Sequence, residues 1–321
     1  MHYTIRHITR FHYTHPVSES LTEARMQPIT DANQRCLNFE LSTSPEARIM
    51  SYRDHLGNIV HNFDIPGHHS KLTITAKALV DVQDPAPLPD SLPISAWKEL
   101  DSIVSRDDFY EILVPSPFTQ ATPLLAEFTR ELAVGRDDDP LTLLHRINSG
   151  IFQRFDYAPQ TTRVDSPIDD ALRARKGVCQ DFSHIMIALV RQVGIPCRYV
   201  SGYLFHRTED HDRSAADSSH AWVEALLPGI GWVGFDPTNN LVAGGRHIRV
   251  AVGCDYADVP PTRGVFKGQA KSELSVAVSV LPSTEPAPTQ MNYSPILSIG
   301  SHGAEPDWAS EEFAQQIQQQ Q

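Results

Sequence analysis

The sequence of 321 residues contains few cysteines, no long apolar segment and no cluster of basic residues. Four scattered cysteines cannot form a disulfide scaffold in a chain of this size, so a special cysteine here would act chemically. No apolar run approaches the ~20 residues of a membrane span, and the first residues alternate polar and apolar side chains instead of forming a secretory signal. A soluble, cytoplasmic protein is expected.

Charge and length narrow the possible partners and the domain organisation. The 39 acidic residues outnumber the 27 basic ones and give a net charge of −12, so nucleic acid and anionic membranes are poor partners. The chain is about twice as long as a usual single domain. Its 40% hydrophobic and 21% charged residues are typical of globular proteins, so we expect two domains with real cores.

The sequence pattern of residues 1–83 predicts antiparallel β structure. Apolar residues alternate with polar ones in three segments, 3–13, 37–41 and 74–82, which gives each strand one buried face. The pair Gly57-Asn58 predicts a hairpin turn. This pattern favours a small N-terminal β-sandwich.

A proline-rich connector over residues 84–121 separates this region from a predicted core over 122–282. In the core, helices are expected to start at Thr122-Pro123, Asp139-Pro140 and Ser166-Pro167. A regular apolar stripe over 182–193 predicts a helix that is buried on one face and ends at Gly194. Strands are expected over 198–204, 219–227, 232–235 and 274–281, which indicates an α+β domain. The composition of residues 283–321 predicts a disordered tail.

Three core segments supply a thiol, an imidazole and a carboxylate. Cys179 stands at the start of the most regular helix, where free backbone N–H groups favour the thiolate, which is the nucleophilic form. His220 and Asp236 stand on the two arms of one predicted hairpin. They share a sheet face only if the register pairs residues whose numbers have an even sum. In the predicted roles, Cys179 attacks a carbonyl, His220 handles its proton and Asp236 fixes the imidazole tautomer.

Other side chains near these segments allow more than one interpretation. The backbone N–H of Cys179 is the first candidate to bind an oxyanion, and Gln180 or Trp222 is a possible second. Trp222 and Trp232 could line a substrate cleft or belong to the core. Asp181 could act as a charge at the helix start, which we favour, or as a hydrogen-bond partner of the substrate. Cys36, Cys197 and Cys254 are expected to be ordinary core residues, and the polar loop over 205–218 either a mobile wall or a surface loop.

The same segments resemble the transglutaminase-like superfamily. Residues 177–181 (Gly-Val-Cys-Gln-Asp), 220–224 (His-Ala-Trp-Val-Glu) and 234–239 (Gly-Phe-Asp-Pro-Thr-Asn) are similar, in this order, to its Cys, His and Asp signatures. Residues 7–17, 26–28 and 54–58 resemble the β domain that precedes the core in bacterial members. The resemblance covers residues 1–268 and implies a papain-like core, with helices on an antiparallel sheet. It implies an amide-directed cysteine enzyme that needs no cofactor and no metal.

Three functions follow as alternatives. The first is hydrolysis of a peptide or isopeptide amide through an acyl-thioester, which we favour because nothing after Pro282 could form the extra C-terminal β domains of eukaryotic cross-linking transglutaminases. The second is acyl transfer to an amine, which uses the same residues. The third is a non-catalytic module that binds a peptide.

Adjacent His68-His69, and His206 with His211, are poorly spaced for a metal site. The sequence leaves the oligomeric state open.

Overall fold

The alternating N-terminal segments form the strands of an antiparallel sheet. The computed structural model describes residues 1–106, 109–207 and 209–283. Its first four strands are β1 (His2–Ala24), β2 (Gln34–Ser44), β3 (Met50–Arg53) and β4 (Ile59–Val82). Strand β4 pairs with each of the other three, and the Gly57-Asn58 turn leads from β3 into β4 as predicted.

The N-terminal sheet bends so that its two halves pack on each other. The predicted β-sandwich is therefore a single bent sheet. Strands β1 and β4 are 23 and 24 residues long, and the pairing of β1 with β4 is irregular between His12 and Glu19. Such irregularities bend strands. Residues from both halves of β4, including Phe63 and Ile74, consequently share one buried apolar cluster. Strands β1 and β4 run through both halves of the bent sheet, and these halves form the two layers.

The connector over 84–121 is extended only in its first part, which corrects the prediction. Two helical segments lie in it, α1 (Ala96–Arg106) and a 3-10 turn (Tyr110–Ile112). Trp97 and Leu100 of α1 are buried against the core, and Val104 packs beside them. The prolines up to Pro93 favour an extended chain. Beyond these prolines, the spacing of Trp97, Leu100 and Val104 suits a helix that packs against the core.

Four helices and a short pair of strands open the core. They are α2 (Pro123–Glu131), α3 (Pro140–Arg154), β5 (Asp156–Tyr157), α4 (Ile168–Ala174), β6 (Lys176–Gly177) and α5 (Cys179–Gln192). Thr122 accepts a hydrogen bond from the N–H of Leu125, and the Asp139 carboxylate accepts from the N–H of Leu141. These side chains cap α2 and α3, which confirms both predicted starts.

A five-stranded antiparallel sheet packs against α5. Its strands are β7 (Cys197–Leu204), β8 (His220–Leu227), β9 (Gly231–Asp236), β10 (Leu241–Val242) and β11 (His247–Gly253), in the spatial order β10-β9-β8-β7-β11. Helix α5 is buried along its length from Cys179 to Arg191, not on one face alone, because helices α2, α3 and α4 cover the side away from the sheet. The chain leaves α5 through Gly194, whose φ of 77° suits glycine.

The last two described strands belong to the N-terminal sheet and not to the core that was assigned residues 122–282. Strands β12 (Thr262–Lys267) and β13 (Ser272–Pro282) both pair with β1. They cover the edge of β1 opposite to β4, so this long strand is paired on both sides. Apart from Ser283, the predicted tail over 283–321 lies outside the described residues. Among the helices of the described chain, none is long and apolar enough to cross a membrane.

Candidate active site

Cys179 is the first residue of α5 and is 8% exposed. The helix start is held by Asp181, whose carboxylate accepts the Val178 N–H at 2.9 Å and the Thr162 hydroxyl at 2.6 Å. Burial opposes these hydrogen bonds and raises the pKa of Asp181 to about 6. A Cβ at Gly177 would lie 2.6 Å from the Asp181 carboxylate, so only glycine allows this approach. Asp181 therefore has the helix-start role that was expected of it.

His220 and Asp236 meet because β8 and β9 have the required register. Val223 lies opposite Phe235, so paired residue numbers have an even sum and the two side chains share a face. The His220 Nε2 lies 2.8 Å from the Asp236 Oδ2. Both residues are almost fully buried, with 2% and 0% exposed. The hairpin thus forms the imidazole–carboxylate pair that the sequence predicts.

Asp236 accepts hydrogen bonds from three further residues. The Oδ1 atom accepts the backbone N–H groups of Thr238 and Asn239 at 3.0 and 3.2 Å. The Oδ2 atom, besides His220, accepts the Asn239 side-chain amide at 2.9 Å and contacts the His247 Nε2 at 3.3 Å. Burial alone would favour the neutral carboxyl, but His220 and His247 hold the pKa of Asp236 well below its ordinary value. The carboxylate is therefore ionised and fixed in orientation.

The negative charge of Asp236 favours the protonated form of His220. Burial alone would lower the pKa of His220, but the Asp236 carboxylate outweighs it and, with a smaller contribution from the Cys179 thiol, raises the pKa to about 10. Since Nε2 is hydrogen-bonded to Asp236, Nδ1 is the ring nitrogen left for the Cys179 thiol, whose hydrogen bond to His220 contributes to the raised pKa. The Asp236 carboxylate thus favours the imidazolium form of His220, next to Cys179.

The ring nitrogens of His220 and His247 and the Asp236 oxygen lie within 4.8 Å of one another. Such a trio has the chemistry to hold a divalent ion. Here each of these atoms already takes part in a hydrogen bond within the trio. The arrangement is that of a hydrogen-bonded carboxylate with two imidazoles.

The three residues considered for oxyanion or substrate binding lie in different surroundings. The Gln180 side-chain amide donates one of its two hydrogens to the Val164 carbonyl at 2.8 Å. Trp222 is fully buried, and its ring lies 6.1 Å from that of His220. Trp232 is half-buried beneath the Arg198 guanidinium at 4.3 Å.

Both tryptophans line a cavity that does not include Cys179. The cavity has a volume of about 780 Å³ and lies between the core sheet and the proline-rich connector. Its walls include residues 84–90 and the side chains of Trp222, Glu224, Trp232 and His247. Trp222 thus lies between this cavity and the His220 imidazole. Trp232 is four residues from Asp236 along β9, which separates the two residues by about 13 Å at the rise of a strand.

Three residues near the site were missed by the sequence analysis. Asn239 and His247 contact Asp236 directly. Tyr157 lies close to Cys179, and burial together with that thiol raises the pKa of its hydroxyl. Asn239 follows Asp236 within the same motif and could have been suspected. Tyr157 and His247 belong to strands that carry no recognisable chemical motif, so only the fold reveals them.

A thiol at a helix start, joined to an imidazole and a carboxylate on neighbouring strands, is the arrangement that thiol-dependent acyl chemistry uses. The family model of the transglutaminase-like superfamily matches residues 127–237. That of the bacterial transglutaminase-like N-terminal region matches residues 3–81. The chain belongs to the transglutaminase-like superfamily, which confirms the predicted resemblance. The core match includes Cys179, His220 and Asp236 and ends before His247.

Individual relatives extend the similarity over most of the chain. An uncharacterized protein from Mycobacterium leprae is 34% identical over 276 residues, covering 85% of this chain and 96% of the relative. A Pseudomonas aeruginosa protein-glutamine gamma-glutamyltransferase is 27% identical over 151 residues, which are 45% of this chain and 22% of the relative. A structure from Cytophaga hutchinsonii, provisionally described as a cysteine protease, has a TM-score of 0.68 at 21% identity and covers 93% of this chain and 94% of its own. These similarities confirm the α+β fold with a strand-rich N-terminal region and a transglutaminase-like core.

Proposed function

We propose that the protein hydrolyses an amide bond through an acyl-thioester on Cys179. The observation that carries this proposal is the charge pairing at His220, which binds the buried Asp236 through Nε2 and leaves Nδ1 for the thiol at the start of α5. An imidazolium held in this way stabilises a thiolate and can later give up a proton.

The steps follow from these positions. The Cys179 thiolate attacks the carbonyl carbon, and the oxyanion is stabilised by the Cys179 backbone N–H at the helix start. As the C–N bond breaks, the His220 Nδ1 gives its proton to the leaving nitrogen, and an acyl-thioester remains on Cys179. Water then attacks the thioester while neutral His220 takes its proton, which releases the acid and regenerates the thiolate and imidazolium. Asp236 keeps its charge throughout.

Acyl transfer is the second candidate, because one similar protein is named as a protein-glutamine gamma-glutamyltransferase. In that reaction an amine replaces water in the second step, so the same three side chains serve both reactions. We favour hydrolysis of a peptide or isopeptide amide, in the cytoplasm, as the working proposal. A module that only binds peptides would form no covalent adduct.

The experiment is to incubate the protein with a library of glutamine-containing and isopeptide-linked peptides, with and without excess primary amine. Intact-protein mass spectrometry detects the adduct, and product masses identify the reaction. Hydrolysis yields a free acid with ammonia or a shortened peptide, whereas transfer yields a product that carries the added amine. Cys179→Ala should show neither adduct nor product, while the matched variant Cys36→Ala should behave as the wild type. Turnover by Cys179→Ala would overturn the mechanism.

A further inference from the structure

His247, the first residue of β11, shares the carboxylate oxygen that His220 uses. Its Nε2 lies 3.3 Å from the Asp236 Oδ2, and the residue is 6% exposed. The backbone N–H of Gly244 donates to its Nδ1 at 3.3 Å. An N–H group can only donate, so Nδ1 is the unprotonated nitrogen and Nε2 carries the hydrogen. His247 is therefore held in the tautomer that donates to Asp236.

The surroundings fix both the position and the charge state of this ring. The His247 backbone N–H donates to the Gly244 carbonyl at 2.9 Å, so backbone and ring both bind the same glycine. The ring meets Trp222 edge-on, with centroids 5.2 Å apart. Burial lowers the pKa of His247, and neighbouring His220 and Arg246 add to this effect against the attraction of Asp236. One oxygen of Asp236 thus contacts a charged imidazole and a neutral one.

We propose that His247 is a positioning residue, whose fixed Nε2–H holds the Asp236 carboxylate so that His220 directs its Nδ1 at Cys179. This inference rests on the proposed function, because it assigns a role to His247 within the same machinery. The carboxylate has two rotatable bonds, and its Oδ2 must point at His220 to hold the imidazolium in place. The backbone N–H groups of Thr238 and Asn239 hold Oδ1, and the Asn239 side-chain amide donates to Oδ2 at 2.9 Å from the same turn, whereas His247 approaches Oδ2 from a different strand. Without the His247 donor, the carboxylate is held by this turn and by His220, so the orientation of the group that holds His220 is less restricted.

Two substitutions separate the hydrogen bond from the packing of the ring. His247→Phe keeps a ring against Trp222 but has no donor. His247→Gln loses the ring, yet its amide can donate to Asp236 and its oxygen can accept from Gly244. The readout is the rate at which iodoacetamide labels Cys179 at pH 6, followed by peptide mass spectrometry, so no substrate needs to be known. His61→Phe serves as the matched control, because His61 is a buried histidine of the N-terminal sheet.

We expect His247→Phe to label at least ~10-fold more slowly than the wild type, the size of effect expected for one lost hydrogen bond to a charged group. His247→Gln should restore the rate to within roughly 3-fold, and His61→Phe should match the wild type. Nuclear magnetic resonance should show the His220 Nε2 proton in wild type and His247→Gln, but broadened by exchange in His247→Phe. Thermal unfolding of each variant shows whether the fold is retained.

Two results overturn this inference while leaving the proposed function intact. In the first, His220→Ala labels slowly but His247→Phe labels as fast as the wild type. In the second, His247→Phe and His247→Gln are equally slow, which assigns the ring a packing role only. If His220→Ala itself labels like the wild type, the proposed function fails, and the role of His247 fails with it.

Discussion

At the scale of single residues, Asp236 is the centre of the candidate site. A buried carboxylate is unfavourable unless hydrogen bonds and charge offset its lost hydration. Donors from His220, Thr238, Asn239 and His247 all converge on it. The result is a group that stays ionised in the protein interior and keeps the neighbouring imidazole charged.

The raised pKa of His220 predicts a specific dependence of stability on pH. A histidine whose pKa is about 10 in the folded state and 6.5 in the unfolded state stabilises the fold fully below pH 6.5, and this contribution is lost as pH rises towards 10. Each tenfold difference in proton affinity between the two states corresponds to ~1.4 kcal/mol. We expect the free energy of unfolding of the wild type to fall relative to that of His220→Gln by a few kcal/mol across this range.

Urea unfolding at pH 6, 8 and 10 measures this difference. The comparison with His220→Gln cancels the titration of groups away from the site, which both proteins share. A difference that does not change between pH 6 and 10 would contradict the imidazolium–carboxylate pair.

The sequence reveals those site residues whose neighbours in the chain form a motif. Cys179, His220 and Asp236 each lie within a short segment whose residue types fit one chemical role. Tyr157 and His247 have no such neighbours, and they reach the site through the pairing of β5 with β6 and of β11 with β7. Contacts between distant segments depend on strand order, which one sequence does not specify.

At the scale of elements, the loop over residues 209–218 is attached to the site through Asn239. The Asn239 side-chain oxygen accepts the backbone N–H groups of Arg213 and Ser214 at 2.8 and 3.3 Å. Its amide donates to the Ser214 hydroxyl and to the Asp236 carboxylate. One side chain therefore links a polar loop to the buried carboxylate, a role that sequence analysis did not foresee.

Asn239→Ala should release this loop. Because two backbone N–H groups lose their acceptor, we expect the amides of Arg213 and Ser214 to exchange with deuterium at least ~10-fold faster, the effect of about one hydrogen bond. Ser218→Ala is the control, since the Ser218 hydroxyl donates to the Ala215 carbonyl within the same loop. Unchanged exchange in Asn239→Ala would show that the loop is held by other contacts.

Local signals predicted the starts of α2 and α3 and the strands β7, β8, β9 and β13. Caps followed by proline marked the starts of α2 and α3, and both lie where expected. Helix α1 follows a proline-rich stretch and β11 follows a glycine pair, and neither element was predicted from the sequence. In both cases burial against the folded core, more than local propensity, determines the structure.

At the scale of the whole molecule, the two ends of the described chain form one sheet. Strands β12 and β13 complete the edge of β1, so a division of the chain into consecutive segments could not give the observed arrangement. The core sheet also bonds to the N-terminal region through side chains. Asn58 donates to the Val252 carbonyl and accepts the Val252 N–H, both at 2.8 Å, and Gln34 makes the same pair of bonds with Arg249.

Asn58→Asp tests this connection. The substitution removes the donor and places a carboxylate against the Val252 carbonyl and the Asp54 carboxylate, which Asn58 bonds at 3.0 Å. We expect the free energy of unfolding at pH 7 to fall by roughly 2–4 kcal/mol, because a buried charge then faces a carbonyl oxygen and a second carboxylate, with the Val252 N–H as the donor it retains. The exposed Asn38→Asp should change it by less than about 0.5 kcal/mol. Equal effects of the two substitutions would contradict a connection through Asn58.

The most direct test of the proposed chemistry is the rate of iodoacetamide labelling of Cys179 as a function of pH, in wild type and His220→Ala. Peptide mass spectrometry reads Cys36 and Cys254 in the same sample as internal controls, and burial raises the pKa of both to about 12. We predict that wild-type Cys179 labels at pH 6 nearly as fast as at pH 8, and that His220→Ala loses the reaction at pH 6. If Cys179 labels slowly at pH 6 in both proteins and rises with pH like an ordinary thiol, the thiolate–imidazolium pair does not exist and the proposed chemistry is wrong.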